Sequence, residues 1–173
     1  MPHHDPVNKV TLVPRGQAKG LTWFTPSEDQ SLVSFNTFKA RISGALGGRA
    51  AEQIVFGSSQ VTSGAGGDLQ QVERMARAMV TQVGMSNLVG PISISDGGYG
   101  GPDYSEELSA KIDDAIRSIS DECYLSALTL LSQHRPCLDR IVDELLEVET
   151  LPGDRLREIV AEYTSIPEKL AAV

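Results

Sequence analysis

TSGAGGDLQQVERMARAMV, Thr62 to Val80, joins a glycine-rich turn to a run with helical spacing. Leu69, Val72, Met75, Ala76, Met79, Val80 and Val83 recur every three or four positions, which predicts one apolar helix face turned to a core. Gln70, Gln71, Glu73, Arg74 and Arg77 fill the opposite face. Asp68 stands where turn becomes helix, and two readings of it are open. A helix that starts at Asp68 makes it an N-cap, with Gln71 three positions on completing a capping box. A helix that starts at Thr62 or Ser63 puts Asp68 inside the first turn, with its carboxylate free to ligate.

Upstream, Ser31 or Ser34 to Phe56 is helical in pattern, with Leu32, Phe35, Phe38, Ile42, Ala45, Leu46, Ala50, Ile54 and Val55 on a broad apolar face and Gly57 as its stop. Gly44, Gly47 and Gly48 each weaken a helix by roughly 1 kcal/mol relative to alanine, so close approach of another backbone is expected there. Arg49 and Glu52, one turn apart, read as a solvated ion pair or as a carboxylate lining a site, and the spacing favours the pair. Earlier still, Val10 and Leu12 alternate with Lys9 and Thr11, and Leu21 to Thr25 is β-branched and aromatic. These predict two short strands joined by the turn residues of Pro14 to Gly20, a small sheet with an exposed edge. His3 and His4 are adjacent on extended chain, point to opposite sides, and make a poor chelate.

Downstream, the glycines and prolines from Ser86 to Pro102 predict a loop or lid. Leu108, Ile112, Ala115, Ile116, Ile119, Cys123, Ala127, Leu128 and Leu131 mark a long helix ending before Pro136. Leu138 to Leu146 follow on a second helix and Leu156 to Tyr163 on a third, begun near Pro152 and Asp154, with a frayed tail from Ile166 to Val173. The expected fold is mainly α: one domain over residues 1–173, with a small N-terminal β-sheet and a C-terminal helical bundle.

The 173 residues suffice for a core without staples. A net charge of −8 and the lack of any basic cluster argue against nucleic acid or an anionic membrane surface as a partner. Cys123 and Cys137 sit in helical patterns and read as packed, reduced thiols. No apolar run is long enough to span a bilayer, and the N-terminus reads as neither a signal nor a transit peptide.

DPVNKVTLVPRGQAKGLTWFTPSED (Asp5 to Asp29), GALGGRAAEQIVFG (Gly44 to Gly57), TSGAGGDLQQ (Thr62 to Gln71), MVTQVGMS (Met79 to Ser86) and the ETLPGDRL region near Thr150 resemble the peptidase domain of FtsH proteases, most closely the cyanobacterial and chloroplast branch. The likeness runs nearly end to end and departs at Ser93 to Pro102, where the family usually carries a longer insert. The resemblance implies a membrane-anchored, ATP-dependent zinc metalloendopeptidase, working on protein substrates as a homo- or hetero-hexamer of FtsH subunits in thylakoid or cyanobacterial membranes. It implies that Asp68 is the third zinc ligand, after two histidines of an HExxH helix. It also implies that Glu52, in the motif Gly47-Gly48-Arg49-Ala50-Ala51-Glu52, stands beside the metal without ligating it.

HExxH itself is missing from this sequence, as is the G-x-x-x-x-G-K-[ST] phosphate loop of the ATPase module, so no catalytic residue is assigned here. Zinc would need two upstream histidines, ATP would be used by a module outside the chain, and membrane contact would come through N-terminal segments outside it. The chain is then expected to be the C-terminal part of the protease, inactive alone, or alternatively a non-catalytic assembly module of an FtsH-like ring.

Overall fold

Val7–Thr11 (β1) is a strand paired on both sides, the centre of a three-stranded antiparallel sheet. The computed structural model describes residues 1–14, 20–25, 32–94 and 104–165. The flanking strands are Leu21–Phe24 (β2) and Thr150–Pro152 (β3). Val10 faces Thr22 on one side and Leu151 on the other, and a bulge lies between Val7 and Lys9. β3 carries no pattern that sequence reading could catch: three residues between two helices become a strand only because β1 supplies a partner.

The chain forms two compact units, Met1–Leu32 with Leu130–Val173, and Val33–Thr129. In the first, Arg135–Val148 (α5) and Gly153–Tyr163 (α6) lie against the sheet. Pro136 occupies the first turn of α5, where its missing N–H costs nothing. Leu145, Leu151 and Ile159 form the buried centre, with Val10, Ile141 and Leu156 around it. Glu144 binds this unit electrostatically, accepting from Arg155 Nε at 2.5 Å and Arg140 at 2.6 Å.

In the second unit, Phe35–Ala45 (α1), Gly47–Phe56 (α2), Gly66–Thr81 (α3) and Glu106–Gln133 (α4, whose last residues fall in the other unit) follow in order. Ile42 and Leu46, Val72, Ala76, Met79 and Val80 of α3, and Ile112, Ala115, Ile119 and Cys123 of α4 form its core. Each large side chain fully buried there contributes roughly 1.5–3 kcal/mol. Ser34 caps α1 by accepting from the Thr37 N–H at 3.2 Å. The helix expected to run unbroken to Phe56 is interrupted at Leu46, whose ψ of −7° re-aims the axis while Leu46 N–H to Ile42 and Ala50 N–H to Leu46 still bond. A Cβ at Gly47 or Gly48 would meet nothing within 4 Å, so no backbone crowds them, contrary to expectation. Both lie in the first turn of α2 and neither has a positive φ.

The loop after α3 turns at Gly84, whose φ is +64° and whose Cβ would sit 3.0 Å from Pro91 and Ile92 backbone. The remainder of the expected lid, 95–102, lies outside the described residues, as do the turn at 15–19, Pro26 and the tail from Ile166. No helix of the described residues is long and apolar enough to cross a membrane.

Candidate metal centre

α3 begins at Gly66, so Asp68 is not its cap. Ala65 holds the N-cap position and offers no side-chain hydrogen bond, and Asp68 is the acidic residue of the first turn. The capping-box reading therefore fails, because two further glycines are already helical ahead of Asp68. Its side chain is exposed and makes no hydrogen bond or ion pair among the described residues. Partial desolvation pushes its pKa up from the ordinary carboxylate value, with no bond holding it down.

What precedes α3 is a loop of two 3-10 turns, Ser58–Gln60 and Ser63–Ala65. Gly57 opens it with φ of +88°, a conformation that L side chains rarely adopt, and ends α2 as expected. Thr62 caps the second turn, its hydroxyl accepting from the Gly64 N–H at 3.2 Å. Glu52 of α2 grips the same threonine twice. Its Oε2 accepts the Thr62 N–H at 2.8 Å and its Oε1 accepts the Thr62 hydroxyl at 2.9 Å. The Thr62 amide above all, then its hydroxyl, hold the Glu52 pKa below its ordinary value, and the Arg49 charge adds a smaller push. The expected Arg49–Glu52 pair is thus corrected: Glu52 spends both oxygens on Thr62. Sequence reading missed this contact because it spans ten residues of irregular chain.

Asp68 suits zinc in kind, as a free carboxylate. In number the donors fall short: among the described residues no three of His, Cys, Asp and Glu come together to hold a metal. His4 is engaged elsewhere, its Nδ1 2.9 Å from the Asp5 carbonyl and its ring 4.8 Å from Phe24. His134 occupies the N-cap position of α5. Grooves of about 370 and 690 Å³ lie in the same unit, the first between α3 and α4 and the second under the Gly84 to Pro91 loop, and neither is lined by Asp68 or Glu52.

The sequence profile of peptidase family M41 matches residues 1–159. The chain is 49% identical over 176 aligned positions to the ATP-dependent zinc metalloprotease FtsH of Trieres chinensis, covering 96% of this chain and 27% of that protein. It is 50% identical to the chloroplastic ATP-dependent zinc metalloprotease FTSH 2 of Oryza sativa subsp. japonica, with 96% and 26% covered, and 50% identical to FtsH of Cyanidium caldarium, with 94% and 28% covered. The chain spans about a quarter of the length of the curated relatives it matches. With a family profile matched over nearly its whole length and half its residues shared with FtsH proteins, this chain belongs to peptidase family M41, the FtsH-type metalloproteases.

Proposed function

We propose that this chain is the C-terminal part of an ATP-dependent zinc endopeptidase, and that Asp68 is the carboxylate ligand of a centre whose two imidazoles and general base come from polypeptide beyond these residues. The observation that carries the reading is the unpartnered Asp68 carboxylate, held in the first turn of a helix whose other side is anchored in the core by Val72, Ala76, Met79 and Val80. Zinc, when bound, supplies a Lewis acid that lowers the pKa of a water to about 7. Asp68 would contribute a fixed negative charge to that site. Extended substrate would pair along the outer edge of β2, which has no strand partner among the described residues, beside the half-exposed Trp23 and Phe24. A photocrosslinker at Thr22 should then label a bound peptide. Labelling confined to α5 and α6 would remove that part of the reading.

ATP use, assembly into a sixfold ring, membrane attachment and a thylakoid or cyanobacterial setting belong to the same proposal. ATP use is supported by the relatives being ATP-dependent zinc metalloproteases, and the plastid setting by the chloroplastic FTSH 2 among them; the ring and the membrane attachment rest on the family resemblance alone. The shortage of donors favours a second reading for the chain taken alone, a non-catalytic assembly module. One experiment separates them. With the family's HExxH helix placed in frame ahead of residue 1, the protein should retain zinc through dialysis against a chelator and cleave casein, and Asp68→Asn should lose both. Full zinc and full activity in Asp68→Asn would refute the ligand assignment, and no zinc in the extended parent would favour the assembly module.

A further inference from the structure

The loop that delivers Asp68 has little packing to hold it. A Cβ at Gly57, Gly66 or Gly67 would meet nothing within 4 Å, so these glycines stand in open space, and of the two 3-10 turns only Ala65 is buried. A segment with four glycines and one buried methyl group has many conformations of similar energy. Something else must select one. Among the described residues, the side chain outside the loop that is hydrogen-bonded to it is Glu52. It reaches across from α2, a helix continued from the core-anchored α1, and fixes both the amide and the hydroxyl of Thr62. The hydroxyl passes the constraint on, because the same oxygen that donates to Glu52 accepts the Gly64 N–H. Gly64 sits against this clamp, where an added Cβ would lie 3.2 Å from the Thr62 oxygen. The next turn is the first of α3.

We infer that Glu52 and Thr62 are a relay of positioning residues: Glu52 sets Thr62, Thr62 sets the turn at Gly64, and that turn sets where the Asp68 carboxylate stands. Glu52 thereby acts on the site through the backbone, without touching the metal. Thr62 becomes a functional residue, because its one hydroxyl serves as donor and acceptor at once. Valine, of the same shape, removes both bonds, and serine keeps both. The inference rests on the ligand role proposed for Asp68, and its test separates the two.

In the chain itself, amide hydrogen exchange followed by NMR should quicken on the order of tenfold for Thr62 to Asp68 in Glu52→Gln and Thr62→Val, the loss expected for one charge-assisted hydrogen bond. Amides of α4 should exchange as before, and Thr62→Ser should restore the parent rates. In the protein extended with the HExxH helix, Thr62→Val should weaken zinc binding by about 10- to 100-fold, as loss of an outer partner of a metal ligand does, and Thr62→Ser should restore it. Unchanged exchange in both variants, or quickened exchange that spreads through α4, overturns the relay. Zinc affinity unmoved by Thr62→Val while Asp68→Asn abolishes it also overturns the relay, and leaves the ligand role standing. Zinc affinity unmoved by Asp68→Asn overturns the ligand role and the relay's purpose together.

Discussion

α3 and α6 both start at a glycine with an aspartate in the first turn, and the two starts are built for opposite purposes. At α6, a Cβ on Gly153 would lie 2.1 Å from the Val7 carbonyl oxygen and 2.8 Å from that of Asn8, so the helix is jammed against β1. Its aspartate, Asp154, pairs with Arg157, and Arg157 also donates to the Val7 carbonyl at 3.1 Å. At α3, Gly66 and Gly67 stand in open space, and Asp68 has no partner among the described residues. One start is closed by packing and charge; the other is held at a distance through Glu52 and Thr62, and its carboxylate is left available. A helix start that only had to be stable would resemble the first kind.

The largest test of this contrast is Gly153→Ala. The added methyl cannot fit without moving β1 or α6, and a backbone oxygen is not a flexible neighbour. The unit containing the sheet should lose about 3 kcal/mol or more, the upper range for overpacking, read as a fall in the urea midpoint. A loss under about 1 kcal/mol would mean that the α6 start can shift and is not locked.

Acid titration should separate the two ends next. Glu144 accepts from Arg155 and Arg140, and the Arg155 bond above all holds its pKa below the ordinary 4.5. A depressed carboxylate gives stability that is complete above the unfolded pKa and is lost as pH falls through the folded one. Melting temperature should therefore drop below about pH 4.5, and Glu144→Gln should flatten that limb. Asp68 has the opposite sign. Its pKa is raised above 3.8 by desolvation, so ionising it opposes folding as pH rises through the window just above that value. Asp68→Asn should change the melting temperature at neutral pH little, since the desolvation of the carboxylate opposes its attraction to the helix N-terminus. A stability loss there beyond the roughly 0.3–1 kcal/mol that a first-turn carboxylate draws from the helix dipole would show that Asp68 has a structural partner and that the two starts are less different than the contacts indicate.

Much of this was legible in the sequence, and the physical reason is locality. The 3.6-residue spacing of Val72, Ala76, Met79 and Val80, the helix start at Ser34 and the helix end before Pro136 are all signals within one turn of chain. The parts that escaped depend on distant partners or on what surrounds a residue. β3 exists because Leu151 finds Val10, and the helix break at Leu46 occurs at a residue that reads as a good helix former. Asp68 could be a cap or a free carboxylate from its neighbours alone, since glycines give no sign of where a helix begins. Glu52 offered Arg49 as the obvious partner, and only the folded loop brings Thr62 to it.

Glu149 gives a smaller test on the closed side. It holds a left-handed conformation, φ of +58°, between α5 and β3, where glycine is the common residue. Its carbonyl accepts from the Leu12 N–H at 2.8 Å and from the Thr11 hydroxyl at 3.3 Å, bonds that do not need its side chain. Glu149→Gly should relieve the strain at some entropic cost and stabilise the unit by about 1 kcal/mol, seen as a higher urea midpoint. No gain would place a stabilising role on the glutamate side chain.

The smallest effect, and the most direct counterpart of the first, is Gly67→Ala. Gly67 is already helical, and an added Cβ there meets nothing within 4 Å. Alanine in place of glycine at a compatible position narrows the unfolded ensemble and favours the helix, a gain of about 0.4–1 kcal/mol. The same substitution should thus raise stability at the start of α3 and sharply lower it at the start of α6. The sign, more than the size, carries the argument: a gain at Gly67 means that no protein atom crowds it, whereas a loss of 1 kcal/mol or more, on the overpacking scale, would mean that α3 starts against a neighbour after all. In that case Asp68 would stand in a packed corner, and the proposal that it serves as a ligand would lose its support.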